Sequence, residues 1–219
     1  DPVPPEDENG AGDEGENGNG GDTNGGNTGG PGEGGEREPR KKVYVNNVDV
    51  NVIGDRVQYL NAEGKLITQN ITDYTKQNIN ANFASLEDFI KKWNETDKIQ
   101  VLVDELESKG IMIHELADDV GKDIDPFDLI CHVAYDMPPL TRRERAEKVK
   151  KRNYFSKYGE KAREVLNNLL DKYSDAGIMD IENPKILEIA PINNLGTPAE
   201  IVGYFGGVNE FKIALKDLR

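Results

Sequence analysis

Apolar residues fall at every second position from Val43 to about Thr68: Val43 and Val45, then Val48, Val50 and Val52, then Val57 and Tyr59, then Leu66. Alternation of this kind turns one face of a strand toward a core. Asn46-Asn47, Gly54-Asp55 and Asn61 to Gly64 separate the runs with turn-forming residues, so the pattern predicts a small antiparallel meander. Its single apolar face is thin, and it should therefore pack on the helices after it.

After Thr68 the period becomes three and four. A helix opening at Thr72 or Asp73 carries Tyr74, Ile79 and Phe83, and Ser85 with Asp88 forms a capping box ahead of Leu86, Phe89, Ile90 and Trp93. Thr96 caps a helix of Ile99, Leu102, Val103 and Leu106 that stops at Gly110, and a shorter one carries Ile113, Leu116 and Val120 up to Gly121. Asp125, followed by Pro126 and by Asp128 in the capping-box position, starts a helix of Phe127, Leu129, Ile130 and Val133. Pro138 and Pro139 end it as a rigid elbow. Thr141 with Glu144 then starts a basic helix. The longest candidate runs from about Asn153 to Ala176, with Phe155, Tyr158, Ala162, Val165, Leu166, Leu169, Leu170 and Tyr173 on one face and Gly177 as its stop. It is the expected central strut. A turn or brief helix near Pro184 to Leu187, a helix from Pro198 to Phe205 capped by Thr197 with Glu200, and one from Asn209 to Leu218 complete the chain, with Gly206-Gly207 as a hinge. The expected fold class is mainly α: a helical bundle-like domain over 42–219, with small N-terminal antiparallel β-hairpins at 42–69.

Composition changes this picture at the N-terminus. Residues 1–40 hold eleven Asp or Glu against Arg37 and Arg40, which is -9 of the formal net charge of -14. They also hold thirteen of the 23 glycines, and Val3 is their one large aliphatic residue. Too little apolar surface is available there to offset the entropy of ordering, so 1–41 reads as a disordered, flexible acidic linker. A chain opening on a linker suggests a fragment whose preceding domain has been cut away. The single cysteine, Cys131, excludes an intrachain disulfide and fits a reducing compartment. With neither a basic start, an apolar leader nor a membrane-length apolar run, the expected location is cytoplasmic.

Four patterns could suggest chemistry, and each has a plainer structural explanation. Gly203 to Gly207 has the glycines of a phosphate loop but neither the preceding strand nor the following lysine, and suits a helix stop. Glu107-Ser108-Lys109 and Glu63-Gly64-Lys65 have the Glu-x-Lys spacing of a nuclease pair, but the first falls in a helix, where residues two apart diverge, and the second in a hairpin turn. Asp123, Asp125 and Asp128 could hold a hard cation, yet capping accounts for two of them and Pro126 breaks a calcium-loop pattern. Cys131 beside His132 lacks enough partners for zinc, since His114 is the only other histidine.

The basic run is the strongest non-structural candidate. Arg142, Arg143, Arg145, Lys148, Lys150, Lys151, Arg152, Lys157, Lys161 and Arg163 stand against Glu144, Glu147 and Glu160, a surplus of about seven charges within an acidic chain. Three explanations stand side by side: contact with phosphates, a solvated face with pairs such as Glu144 with Lys148, or an acidic partner protein.

Asp125 to Ala134, followed by Pro138 to Ala146, closely resembles the C-terminal region of the restriction (R) subunit of type I restriction-modification enzymes. The likeness continues through Asn153 to Gly159, Leu169 to Tyr173, Gly196 to Ile201 and Phe205 to Gly207, and upstream through Arg56 to Leu60, Gly64 to Ile67 and Trp93-Asn94. The resemblance implies that the complete subunit carries a nuclease domain and two helicase-like ATPase domains ahead of this region, using ATP and Mg2+ to translocate DNA before cleavage. It also implies that this C-terminal region docks the motor onto the methylation and specificity subunits, with DNA reached directly or through the complex and no membrane involved. No catalytic, cofactor-binding or metal residue is expected in this chain, because no set of its residues completes a catalytic constellation. The alternative is a module that grips the DNA backbone through the basic helices at 142–163. In either case Arg142→Glu with Arg145→Glu is expected to weaken binding while helical circular dichroism stays intact.

Overall fold

A computed structural model of the 219-residue chain describes residues 40–152 and 154–218. The expected linker therefore lies outside the described residues, except that β1 (Arg40–Val45) takes in its last two positions. β1 is followed by β2 (Val48–Ile53), β3 (Arg56–Leu60) and β4 (Leu66–Asn70), and the four form one antiparallel sheet in sequence order. Val45 pairs with Val48 across a two-residue turn whose Asn46 and Asn47 have φ of 48° and 65°. Asparagine tolerates that left-handed backbone, and the resulting turn matches the twist of the strands it joins. Val45, Val50, Val52 and Val57 bury together against Ile71, Tyr74 and Met112, so the meander does pack on the helical part of the chain.

Ten α-helices succeed the sheet among the described residues: α1 (Ile71–Asn82), α2 (Leu86–Glu95), α3 (Ile99–Ser108), α4 (Ile113–Val120), α5 (Pro126–Tyr135), α6 (Arg142–Lys151), α7 (Glu160–Ala176), α8 (Ile178–Ile181), α9 (Pro198–Gly203) and α10 (Val208–Lys216). Short 3-10 turns occupy Tyr154–Lys157, Pro184–Glu188 and Ile192–Leu195. One continuous apolar core joins Leu102, Val103 and Leu106 of α3 to Leu129, Ile130 and Val133 of α5 and to Val165, Leu166, Leu169 and Leu170 of α7. α7 packs against α6, α8 and two of the 3-10 turns and is the strut of the domain. No helix among the described residues is long and apolar enough to cross a membrane.

Several helix starts differ from expectation, for local reasons. α7 begins at Glu160 rather than near Asn153, because Gly159 interrupts the helix and Tyr154–Lys157 forms a separate turn that tucks in Phe155. α1 is capped by Asn70, whose side chain accepts from the Thr72 N–H at 2.7 Å, and not by Thr72 or Asp73. Thr96 closes α2 instead of opening α3, its N–H donating to the Lys92 carbonyl. The first turn of α3 is satisfied from far along the chain: the Ile99 N–H donates to the Glu182 carboxylate at 2.8 Å. The boxes at Thr141 with Glu144 and Thr197 with Glu200 form as their spacing predicts.

Gly110 joins the two cores. Its φ is +83°, and a Cβ there would come within 2.8 Å of Val45 Cγ1 and 2.9 Å of Asn78 Nδ2. Both the left-handed backbone and the close approach require glycine. Gly110→Ala should lower stability by roughly 2–4 kcal/mol, read as a shifted urea midpoint with an unchanged slope.

Candidate functional site

The segment between α5 and α6 is a strap rather than an elbow. Asp136 ends α5 in the left-handed conformation (φ 53°), with its N–H on the Cys131 carbonyl, and His132 Nδ1–H donates to the Met137 carbonyl at 2.9 Å. The ten residues of α5 span about 15 Å, a distance that the five residues from Met137 to Thr141 can retrace when extended. Pro138 and Pro139 favour that extended path. At its end Thr141 bridges Ile124, and the Arg142 N–H donates to the Asp123 carbonyl at 2.8 Å. The starts of α5 and α6 are thereby fastened side by side.

That alignment brings Asp128 to Arg145. Arg145 Nε and Nη2 donate to the two carboxylate oxygens of Asp128, each at 2.7 Å, in a bidentate pair. Both side chains are largely withdrawn from water, at 7% and 19% exposure. The guanidinium also lies 4.8 Å from the centre of the Phe127 ring, which in turn contacts Phe89 and Trp93 of α2 at 5.5 and 5.2 Å. Burial opposes the charge on Arg145, and the bond to Asp128 overcomes that opposition, so the guanidinium stays protonated.

Asp125 completes the cluster from the other side. Its side chain makes no cap bond to α5; it is buried beside the half-buried Arg142 and the Tyr173 hydroxyl of α7. The hydroxyl is close enough to favour the charged form of Asp125 but, like Arg142 Nε, makes no well-formed hydrogen bond among the described residues. Gly177 ends α7 against the same carboxylate: a Cβ there would lie 3.0 Å from Asp125 Oδ1. The cavity left between Trp93, Phe127, Arg145 and Tyr173 is about 10 Å3, too small for a substrate. The expected capping roles of Asp125 and Asp128 are thus not taken up: Asp128 holds Arg145, and Asp125 is buried near Arg142 and Tyr173. No group of three or more metal-ligating side chains occurs among the described residues.

The basic residues differ in exposure and in partners. Arg145 is turned inward and is withdrawn from the set of exposed contacts. Lys150 is bonded to Asp171 of α7 at 2.7 Å, and Lys157 to Asp217 at 2.7 Å. Arg152 reaches the Tyr154 hydroxyl at 3.4 Å, and Lys161 lies over the Tyr204 ring at 4.9 Å. Arg143, Lys148, Lys151 and Arg163 are exposed without an ion pair among the described residues. Glu144 is turned back onto Thr141 by the cap, so the expected pair with Lys148 is not formed. At about 100° per residue, Arg143 and Lys150 flank one side of α6, Lys148 the other, and Lys151 points straight out.

The remaining sequence patterns have local partners. Glu107 pairs with His114 and ends α3, while Lys109 turns to Glu105 at 2.7 Å. Glu63 and Lys65 occupy a turn whose backbone N–H groups both donate to Asn61 Oδ1. Cys131 is buried, and burial pushes its thiol up to about 12.

A groove of about 520 Å3 opens elsewhere, between the start of α3, the α8 region and the last two helices. Val101, Ile181, Leu187, Val202, Phe211 and Leu215 line it, and Val101 and Val208 at its lips remain 61% and 59% exposed. Sequence reasoning missed this groove. Its signal was two apolar residues off the buried stripes, Val101 beside Ile99, Leu102, Val103 and Leu106, and Val208 outside the Phe211, Ala214 and Leu218 series.

The chain matches the family described as EcoEI R protein C-terminal over residues 69–219. Over 179 residues it is 50% identical to the type I restriction enzyme EcoAI endonuclease subunit of Escherichia coli, a match that covers 81% of this chain and 22% of that subunit. No solved structure is significantly similar to it.

Asp128→Ala strands a buried guanidinium and should cost about 3–5 kcal/mol in urea unfolding. Asp125 behaves differently, because burial holds its carboxyl above the usual carboxylate range against the pull of Tyr173, Arg142 and Arg145. Its contribution to stability is complete below about pH 4 and is lost as pH rises through the raised value. Asp125→Asn should therefore gain stability relative to the wild type between about pH 4 and pH 7, measured by urea unfolding at both values. The Cys131 thiol should resist aromatic disulfide reagents at about pH 8 until the chain is unfolded.

Proposed function

The chain belongs to the EcoEI R protein C-terminal family, and from this we propose that it docks the endonuclease subunit of a type I restriction enzyme onto the methylation and specificity subunits. The observation that carries this is the open apolar groove between α3, α8 and α10. Aliphatic surface left in water suits a protein partner. The chain spans 22% of the length of its EcoAI relative. The nuclease and the ATP- and Mg2+-dependent translocation are proposed for other parts of the whole subunit, working in the cytoplasm.

A second function, a grip on the DNA backbone, is favoured by Arg143, Lys148 and Lys151, which are exposed without an ion pair among the described residues. It is weakened by the acids that already hold Arg145, Lys150 and Lys157. Arg145→Glu cannot serve as a surface test, since it would set a carboxylate against Asp128; Arg143 and Lys151 are the residues to reverse.

The chain should be retained on the assembled methylation and specificity subunits without DNA. Retention should survive a rise from about 50 to 200 mM salt, a change that costs a module holding about six to ten phosphates roughly 10^3- to 10^5-fold in affinity. Arg143→Glu with Lys151→Glu should leave it in place. Retention only with DNA, lost in the higher salt and in that variant, would overturn docking in favour of phosphate contact.

A further inference from the structure

We infer that the α3–α8–α10 groove receives an amphipathic helix with acidic flanks, supplied by the methylation or specificity subunits; this rests on the docking function proposed above. The apolar part of the lining is aliphatic apart from Phe211, the only aromatic side chain among the described lining residues, and polar residues such as Lys98, Glu182 and Lys212 share the lining with it. They offer no pair of aromatic faces between which a base or a planar ring could stack. The sheet lies against α1 and Met112 and lends the groove no strand edge, so an extended peptide would have no backbone partner. Aliphatic side chains spaced three and four apart on a helix match such walls. The lips point the same way. Val101 and Val208 belong to the lining yet stand out in water at 61% and 59% exposure, apolar surface that an occupant of the groove would cover.

Charge selects the kind of helix. On the rim, Glu182 is engaged by the Ile99 N–H, and Asp97 by Lys216 at 3.3 Å. Lys98 and Lys212 are exposed on the same rim with no ion pair among the described residues. Lys98 and Lys212 beside an apolar groove favour acids on the partner.

The test uses the 219-residue chain with Val101→Cys carrying a benzophenone, Cys131 being buried and unreactive. Irradiation with the assembled methylation and specificity subunits, then mass spectrometry, should place the cross-link in one helical segment with an aliphatic stripe and flanking Asp or Glu. In parallel, Val101→Asp with Val208→Asp, and separately Lys98→Glu with Lys212→Glu, should each weaken retention about tenfold or more. All four positions are exposed, so circular dichroism and the urea midpoint should not move. Wild-type retention with unaffected variants, or a cross-link to another copy of this chain or to a segment lacking acids, would overturn the groove assignment while leaving docking intact. Failure of the wild type to be retained at all would remove docking and the groove assignment together.

Discussion

The buried pair of Asp128 and Arg145 is the constraint around which the helical domain is arranged. Two ions taken out of water must meet in good geometry or the domain loses several kcal/mol, so the helices carrying them have little freedom to slide. The pair fixes α6 against α5, and the Phe127 ring under the guanidinium carries the same constraint to Phe89 and Trp93 of α2. Asp125, Arg142 and Gly177 extend it to the end of α7. Four helices are thus registered by one polar cluster embedded in an otherwise apolar core.

Electrostatics divides this acidic domain into interior and surface roles. Residues adjacent in sequence have opposite fates: Arg143 faces solvent, whereas Arg145 and part of Arg142 serve the interior. A run of basic residues therefore overstates the charge a partner would meet. The apolar groove with its two lysines is the surface where shape and charge act together.

The features legible in the sequence were those that local spacing encodes. Val43 to Leu66 alternated and formed a sheet in sequence order, Thr141 with Glu144 and Thr197 with Glu200 formed their boxes, and the helical spacing of Val165, Leu166, Leu169 and Leu170 marked the buried face of α7. Local spacing failed where a distant group decided the outcome. Asp125 and Asp128 have the positions of capping residues, but Tyr173, Arg142 and Arg145 bring them into the interior. Thr96 has the chemistry of a helix start, but Glu182 performs that task. The groove was hidden for a similar reason, since its walls come from α3 and from residues more than eighty positions later.

The bond from Glu182 to the first turn of α3 has a consequence for how the chain is made. Emerging from the ribosome, α3 waits with its Ile99 N–H held by water alone, because the carboxylate that satisfies it is synthesised 83 residues later. A cap of this kind is worth about 1 kcal/mol, enough to matter in a helix of ten residues. The wall of the groove that bears Val101 is therefore completed only when the C-terminal third of the chain has folded back onto it, and a nascent or truncated subunit presents no finished surface to a partner.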